Sequence, residues 1–139
     1  MLHLHSILRW AVLGLLLFAL IKSVIGLIQK KDFTDKDGKI GLYLMMFAHL
    51  QLLLGLFLYF SQGWATAPMA ESLKDATMRF WKVEHIFAMI LAIVFITIGR
   101  IKTKKLTESA KRHKTAVIFY GLSLLIVLWA IPWGTRGFF

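Results

Sequence analysis

One uncharged stretch decides the fold of this protein: residues 40–61 read IGLYLMMFAHLQLLLGLFLYFS. No Asp, Glu, Lys or Arg interrupts it. A helix of about 20 apolar residues is long enough to cross the hydrocarbon core of a bilayer, which is roughly 30 Å thick. The stretch therefore predicts a transmembrane helix.

Three further stretches have the same character: Trp10–Ile28, Val83–Gly99 and Thr115–Trp133, with Lys22 and Glu84 as their only charged residues. Hydrophobic residues make up 58% of the 139, and the mean hydropathy is +0.70. Soluble domains contain about 45–50% apolar residues, and a chain this short could not bury so large an excess away from water. The runs are continuous rather than alternating, and four strands cannot close a barrel, so the spans must be helices.

These runs predict an all-α fold, a transmembrane four-helix bundle with up-down-up-down topology. One domain is expected to cover residues 1–139, and the lipid bilayer is its main partner. Thr34 and Thr107 each precede an acidic residue, which predicts helix N-caps after the two basic links. We expect helices at about 4–29, 35–61, 79–101 and 108–133.

The basic residues indicate how the bundle lies in the membrane. Twelve of the 17 Lys and Arg residues fall in or beside the links between the first and second runs and between the third and fourth. Cytoplasmic loops carry such an excess, so both links are predicted inside and both termini outside, in a bacterial inner membrane. The formal net charge of +10 follows this topology, so we expect no nucleic-acid partner.

Histidines are the candidate functional residues. His49 lies about 9 residues inside its apolar run, hence roughly 13 Å deep. An ionisable side chain at that depth is costly and makes His49 a functional-site hypothesis, and His85, beside Glu84, is treated in the same way. His5 and His113 lie at the predicted membrane boundaries, where a polar ring is better tolerated.

Haem is the cofactor that suits histidines on facing helices, because its iron accepts a ring nitrogen and four-helix bundles build such sites. Two axial His ligands hold their Cα atoms about 12–13 Å apart, given iron–nitrogen bonds of about 2 Å. Counted from the flanking basic residues, His49 and His85 differ in depth by roughly 7 Å on helices about 8–10 Å apart. The sequence therefore predicts His49 and His85 as primary ligands of haem b, with His5 and His113 as secondary ligands.

Charged residues near the outer boundary are candidates for contacts with the haem and with its histidine ligands. Arg9, Arg79 and Lys82 can pair with haem propionates or with lipid phosphates. Glu84 is expected to hydrogen-bond a basic or imidazole partner beside His85.

Five short segments look familiar: His5-Ser6-Ile7-Leu8-Arg9-Trp10, His49-Leu50-Gln51 with Gly55, Val83-Glu84-His85, Arg112-His113-Lys114 and Ile131-Pro132-Trp133. They resemble a group of small four-helix membrane proteins of Bacteroidota that are commonly labelled cytochrome B. The resemblance runs nearly end to end, and it implies an inner-membrane bundle with b-type haem and with His5, His49, His85 and His113 as candidate ligands. Wider diheme b-type cytochromes pair His on the first helix with the third and on the second with the fourth.

The sequence as a whole predicts a haem b electron-transfer protein that works between a quinone-pool or respiratory-chain partner and an acceptor at the outer face. The chain shows no nucleotide motif and no nucleophile constellation, so independent catalysis is not expected. One alternative is a non-haem accessory or assembly subunit, copper-linked if the amino group of Met1 and His3 chelate the metal. Another is a proton or small-solute conduit with its histidines spaced as a ladder across the bilayer.

Overall fold

The computed structural model describes residues 2–61, 74 and 83–130, apart from the side chains at positions 2, 3, 5 and 6. This part of the chain forms four helices and no strand, which confirms the all-α prediction. Each helix contains a segment long and apolar enough to cross a membrane, as expected of a multi-pass membrane protein. The helices are α1 (Leu2–Ile28), α2 (Asp35–Ser61), α3 (His85–Lys105) and α4 (Ser109–Ala130).

The predicted bounds of α2 match the structure, and those of α1 and the start of α4 differ by one or two residues. α3 continues to Lys105, four residues beyond its predicted end, because the charged side chains after Gly99 can leave the apolar layer while the helix itself continues. The predicted segments 79–82 and 131–133 lie outside the described residues.

The four helices form a ring in chain order. α1 packs against α2 and α4, and α3 packs against the same two neighbours. The pairs α1/α3 and α2/α4 therefore stand at opposite corners. Small buried residues line the axis, including Ala48, Ala92 and Ala116, and such residues let transmembrane helices approach closely. Large apolar side chains cover the outside, as lipid contact requires.

Two links, residues 29–34 and 106–108, join helices at one end of the ring, and we call it the basic end. The opposite end, where α1 begins and α4 leaves the described residues, we call the terminal end. At the basic end Thr34 is the predicted N-cap of α2. Its Oγ1 accepts from the Asp37 backbone N–H at 3.4 Å, and an Asp37 carboxylate oxygen accepts from the Thr34 backbone N–H at 2.9 Å, which is a reciprocal capping box. The second link differs, since α4 begins at Ser109 and the Ser109 Oγ accepts from the backbone N–H of Phe33 instead.

The turn after α1 contains a residue in a left-handed conformation. Lys30 has φ of 55°, and the Lys31 backbone N–H donates to the carbonyl of Gly26 at 2.9 Å. This six-to-one hydrogen bond closes a helix C-terminus in which the left-handed position is usually glycine. A side chain at that position adds a steric cost of about 1 kcal/mol.

We therefore expect Lys30→Gly to raise the free energy of unfolding by about 0.5–1 kcal/mol, because glycine adopts this φ without the Cβ clash. Thermal unfolding in detergent measures the change. Lys31→Gly is the matched control, because it removes the same charge from a neighbouring position that does not have a positive φ. Equal effects of the two substitutions would show that the left-handed conformation of Lys30 carries no steric cost.

Candidate functional site

Three of the five histidines have described side chains, and each makes a hydrogen bond that identifies where its proton lies. A backbone carbonyl oxygen only accepts, so a ring nitrogen that bonds to one must carry the hydrogen. The other nitrogen of a neutral ring is then the basic one. This difference separates the three rings chemically.

His85 is the first residue of α3, and the positions of Ala88 and Ala92 place it on the buried face of that helix. Its Nδ1 lies 2.9 Å from the carbonyl oxygen of Ala130 on α4, to which it donates. Nε2 is therefore the basic nitrogen. Histidines that bind metals show this arrangement, because the hydrogen bond from the second nitrogen fixes the tautomer and the ring orientation.

Two charged residues accompany His85. The Arg9 guanidinium of α1 lies near enough to interact electrostatically with its ring, and Glu84 precedes it as the N-cap residue of α3. Arg9 and Glu84 are both partly buried. Arg79 and Lys82, the other predicted propionate partners, lie outside the described residues.

His5 is placed by its register on α1. The buried residues of this helix include Leu8, Val12 and Leu16, and position 5 precedes Leu8 by three residues and Val12 by seven. These intervals return to the same side of a helix. Position 5 therefore belongs to the buried face of α1, at the corner opposite α3, although its side chain lies outside the described part.

His49 lies elsewhere. Its side chain is exposed on the lipid side of the seam between α2 and α3, and its Nε2 lies 2.9 Å from the Oγ1 of Thr97. Thr97 gives its own hydrogen to the carbonyl of Ile93 at 2.7 Å. The Nε2 of His49 must therefore be the donor to Thr97, which leaves Nδ1 as its basic nitrogen.

The structure does not bring His49 and His85 together. His49 bonds at the level of Thr97, which follows His85 by 12 residues and hence lies about 18 Å further along α3. Two axial ligands of one iron need far less separation, so the predicted primary pair does not fit. A depth counted along the sequence could not include the direction of the side chain: the His49 ring is exposed on the outside of the seam and bonds to Thr97, three residues from Arg100.

His113 holds the basic end together. It is 2% exposed, and its Nε2 donates to the carbonyl of Lys31 at 3.1 Å. The ring packs against Phe33 with 5.1 Å between centroids and lies directly over Gly26, where an added Cβ would be 2.5 Å from Cε1. Its contacts are therefore with the α1–α2 link and not with His49.

Sequence reasoning missed an ion pair at the basic end. The Nζ of Lys22 lies 2.8 Å from a carboxylate oxygen of Asp37, whose side chain is only 8% exposed. A cavity of about 10 Å³, enough for roughly one water, lies beside the pair and is also lined by Ser23 and Tyr120. Two features of the sequence could have indicated the pair: Lys22 lies inside an apolar run, and Asp37 lies three positions after the N-cap residue Thr34.

Within the described residues, no three His, Cys, Asp or Glu side chains converge as a metal site would require. Comparisons with models of protein families, with curated proteins and with solved structures found no match to the chain. The assignment of function therefore depends on the geometry at the individual histidines.

The close contact at Gly26 makes a direct test of the role of His113. Gly26→Ala is expected to lower the free energy of unfolding by about 1–3 kcal/mol, because the new methyl group displaces the His113 ring and its bond to Lys31. Gly14→Ala is the control: nothing lies within 4 Å of its added Cβ, and alanine favours a helix by up to about 1 kcal/mol. Unfolding in detergent should move in opposite directions for the two variants.

The ion pair predicts that two neighbouring aspartates contribute unequally to the free energy of unfolding. Asp37→Asn is expected to lower the free energy of unfolding by about 1–2 kcal/mol, because it weakens the capping box and leaves the Lys22 ammonium, 38% exposed, without its carboxylate. Asp35→Asn removes the same charge from an exposed position in the same helical turn, so it should have a much smaller effect. Equal shifts in thermal unfolding would show that the ion pair contributes nothing.

Proposed function

We propose that this protein is a membrane b-type haem electron carrier in which His85 and His5 are the axial ligands. The observation that carries the proposal is the hydrogen bond from the Nδ1 of His85 to the carbonyl of Ala130. It orients the ring and keeps Nε2 basic, as a metal-binding imidazole requires. Among the three described rings, only His85 has its Nε2 as the basic nitrogen.

The arrangement of the helices supports the pairing of His85 with His5. Neighbouring helices in such bundles lie about 8–10 Å apart, so helices at opposite corners of a square ring lie about 11–14 Å apart. Opposite corners are thus farther apart than neighbouring helices, which favours a pair of histidines whose Cα atoms need to be about 12–13 Å apart. Position 5 shares a side of α1 with Leu8 and Val12, His85 lies on the buried face of α3, and α1 and α3 are opposite corners.

The residues around His85 suit the remaining parts of such a cofactor. Arg9 supplies a cation near enough to act on His85 electrostatically, and an arginine can bind a propionate carboxylate through two parallel hydrogen bonds. Ala88, one turn from His85, is buried and small. Arg79 and Lys82 are further candidates to bind the propionates, and Glu84 is a candidate to hydrogen-bond a group beside His85.

The same geometry favours a single haem. His113 bonds to the α1–α2 link and His49 faces outward, and these positions do not favour the second-with-fourth pairing of diheme cytochromes. Haem supplies one-electron chemistry when bound, and the protein holds and orients it. We therefore propose an electron carrier rather than an independent catalyst, with membrane-soluble or respiratory-chain partners.

The proposed setting is a bacterial inner membrane with the basic end in the cytoplasm. Twelve Lys and Arg residues in or beside the two links support this orientation. The haem site then lies in the outer half of the bilayer, at the terminal end of the bundle. Electrons would reach it from the membrane phase or leave it toward the outer face.

Visible spectra of the protein purified from cells supplied with haem test the assignment. The wild type should show a low-spin Soret band, and His85→Ala and His5→Ala should each remove most of the bound haem, because each removes one axial ligand. His49→Ala and His113→Ala are the matched histidine controls and should retain the haem. The proposal fails if the wild type binds no haem, or if His49→Ala removes the haem while His5→Ala does not.

A further inference from the structure

We propose that the seam between α2 and α3 binds the hydroxyl group of a membrane-soluble hydroquinone, with the Nδ1 of His49 as acceptor. This site is separate from the one at His85, and its occupancy does not require haem. The proposal goes beyond the electron-carrier assignment by naming the chemical class of a ligand and the atom that binds it.

The position of His49 determines where the ligand must come from. His49 follows the first residue of α2 by 14 positions and precedes the last by 12, so it lies near the middle of a helix about 40 Å long. The hydrocarbon core is about 30 Å thick, which places the ring near the centre of the bilayer. Since the side chain is exposed there, its partner has to be soluble in the membrane.

The hydrogen bonds around His49 determine which chemical group the ligand must offer. The Nε2–H is used by Thr97, and the Thr97 hydroxyl hydrogen is used by the Ile93 carbonyl. The described part of the chain provides no hydrogen bond to Nδ1 of His49. The Nδ1 of His49 therefore needs a hydrogen-bond donor from outside the chain, and an O–H group is such a donor.

A hydroquinone fits these conditions better than other occupants of the membrane. Acyl chains have no donor, and an oxidised quinone has only acceptor oxygens. A second copy of this chain in a symmetric contact would place one basic Nδ1 against another, and two acceptors cannot bond to each other. Four exposed apolar side chains one turn away provide surface for a ring and its tail: Met46, Leu53, Val94 and Ile101.

His113 shows why exposure matters for this inference. Its Nδ1 is likewise without a hydrogen-bond partner in the described residues. That atom is enclosed by Gly26 and the α1–α2 link, so no ligand from the bilayer can reach it. His49 combines an unmatched acceptor with access from the lipid.

Binding to the full-length protein in lipid nanodiscs tests the proposal. The probes are a decyl-substituted p-benzohydroquinone, kept reduced under anaerobic conditions, and its dimethyl ether, which lacks both O–H groups. One neutral hydrogen bond corresponds to about a tenfold difference in affinity. We expect the wild type to bind the hydroquinone about tenfold more tightly than the ether, and His49→Leu to bind both equally.

Nitrogen-15 spectra of histidine-labelled wild type provide a measurement that does not depend on the variant folding. The hydroquinone should shift the Nδ1 resonance of His49, and the dimethyl ether should not. Equal affinities of the wild type for both probes, or an unmoved Nδ1 resonance at saturation, would overturn the proposal. So would loss of a dimer in His49→Leu with no hydroquinone binding by the wild type, which would assign the seam to a second copy. Haem content, measured on the same samples, reports separately on the His85 site.

Discussion

A polar group in hydrocarbon finds no water to bond with, so a partner within the protein stabilises each polar group that this chain carries into the bilayer. The backbone meets this requirement by forming helices. The polar side chains meet it in pairs across helices: His85 with the Ala130 carbonyl, His49 with Thr97, and Ser123 with the Ala92 carbonyl at 3.1 Å. Each pair fixes the rotation of one helix against its neighbour.

The two ends of the bundle use this requirement differently. At the basic end the groups satisfy one another: Asp37 serves both the capping box and the Lys22 ammonium, and His113 reaches the Lys31 carbonyl. These contacts give rigidity, and the unmatched Nδ1 of His113 is enclosed beside Gly26, so this end leaves little for a ligand to bind. The hydrogen bond of His85 at the terminal end instead orients a ring whose other nitrogen is basic, which is the condition for a ligand site.

The tautomers distinguish histidines that look equivalent in the sequence. His49, His85 and His113 each occupy one helix, and each makes one hydrogen bond through a ring nitrogen. His49 and His113 donate through Nε2 and His85 through Nδ1, because their partners lie on different sides of the ring. Reactivity toward a metal or a ligand hydroxyl is thus a property of the packing around each ring.

The sequence alone was sufficient to predict the four membrane helices, the bounds of α2 and the Thr34 cap, because run length and capping chemistry are local properties. It also identified His85 and His49 as residues that need an explanation. It could not predict which histidines meet, since a depth counted from Lys39 or Arg100 says nothing about helix rotation or about how far a helix extends past its last apolar residue. Only the tertiary structure turned His49 outward and joined Lys22 to Asp37, because these relations arise when four helices pack their small residues against one another.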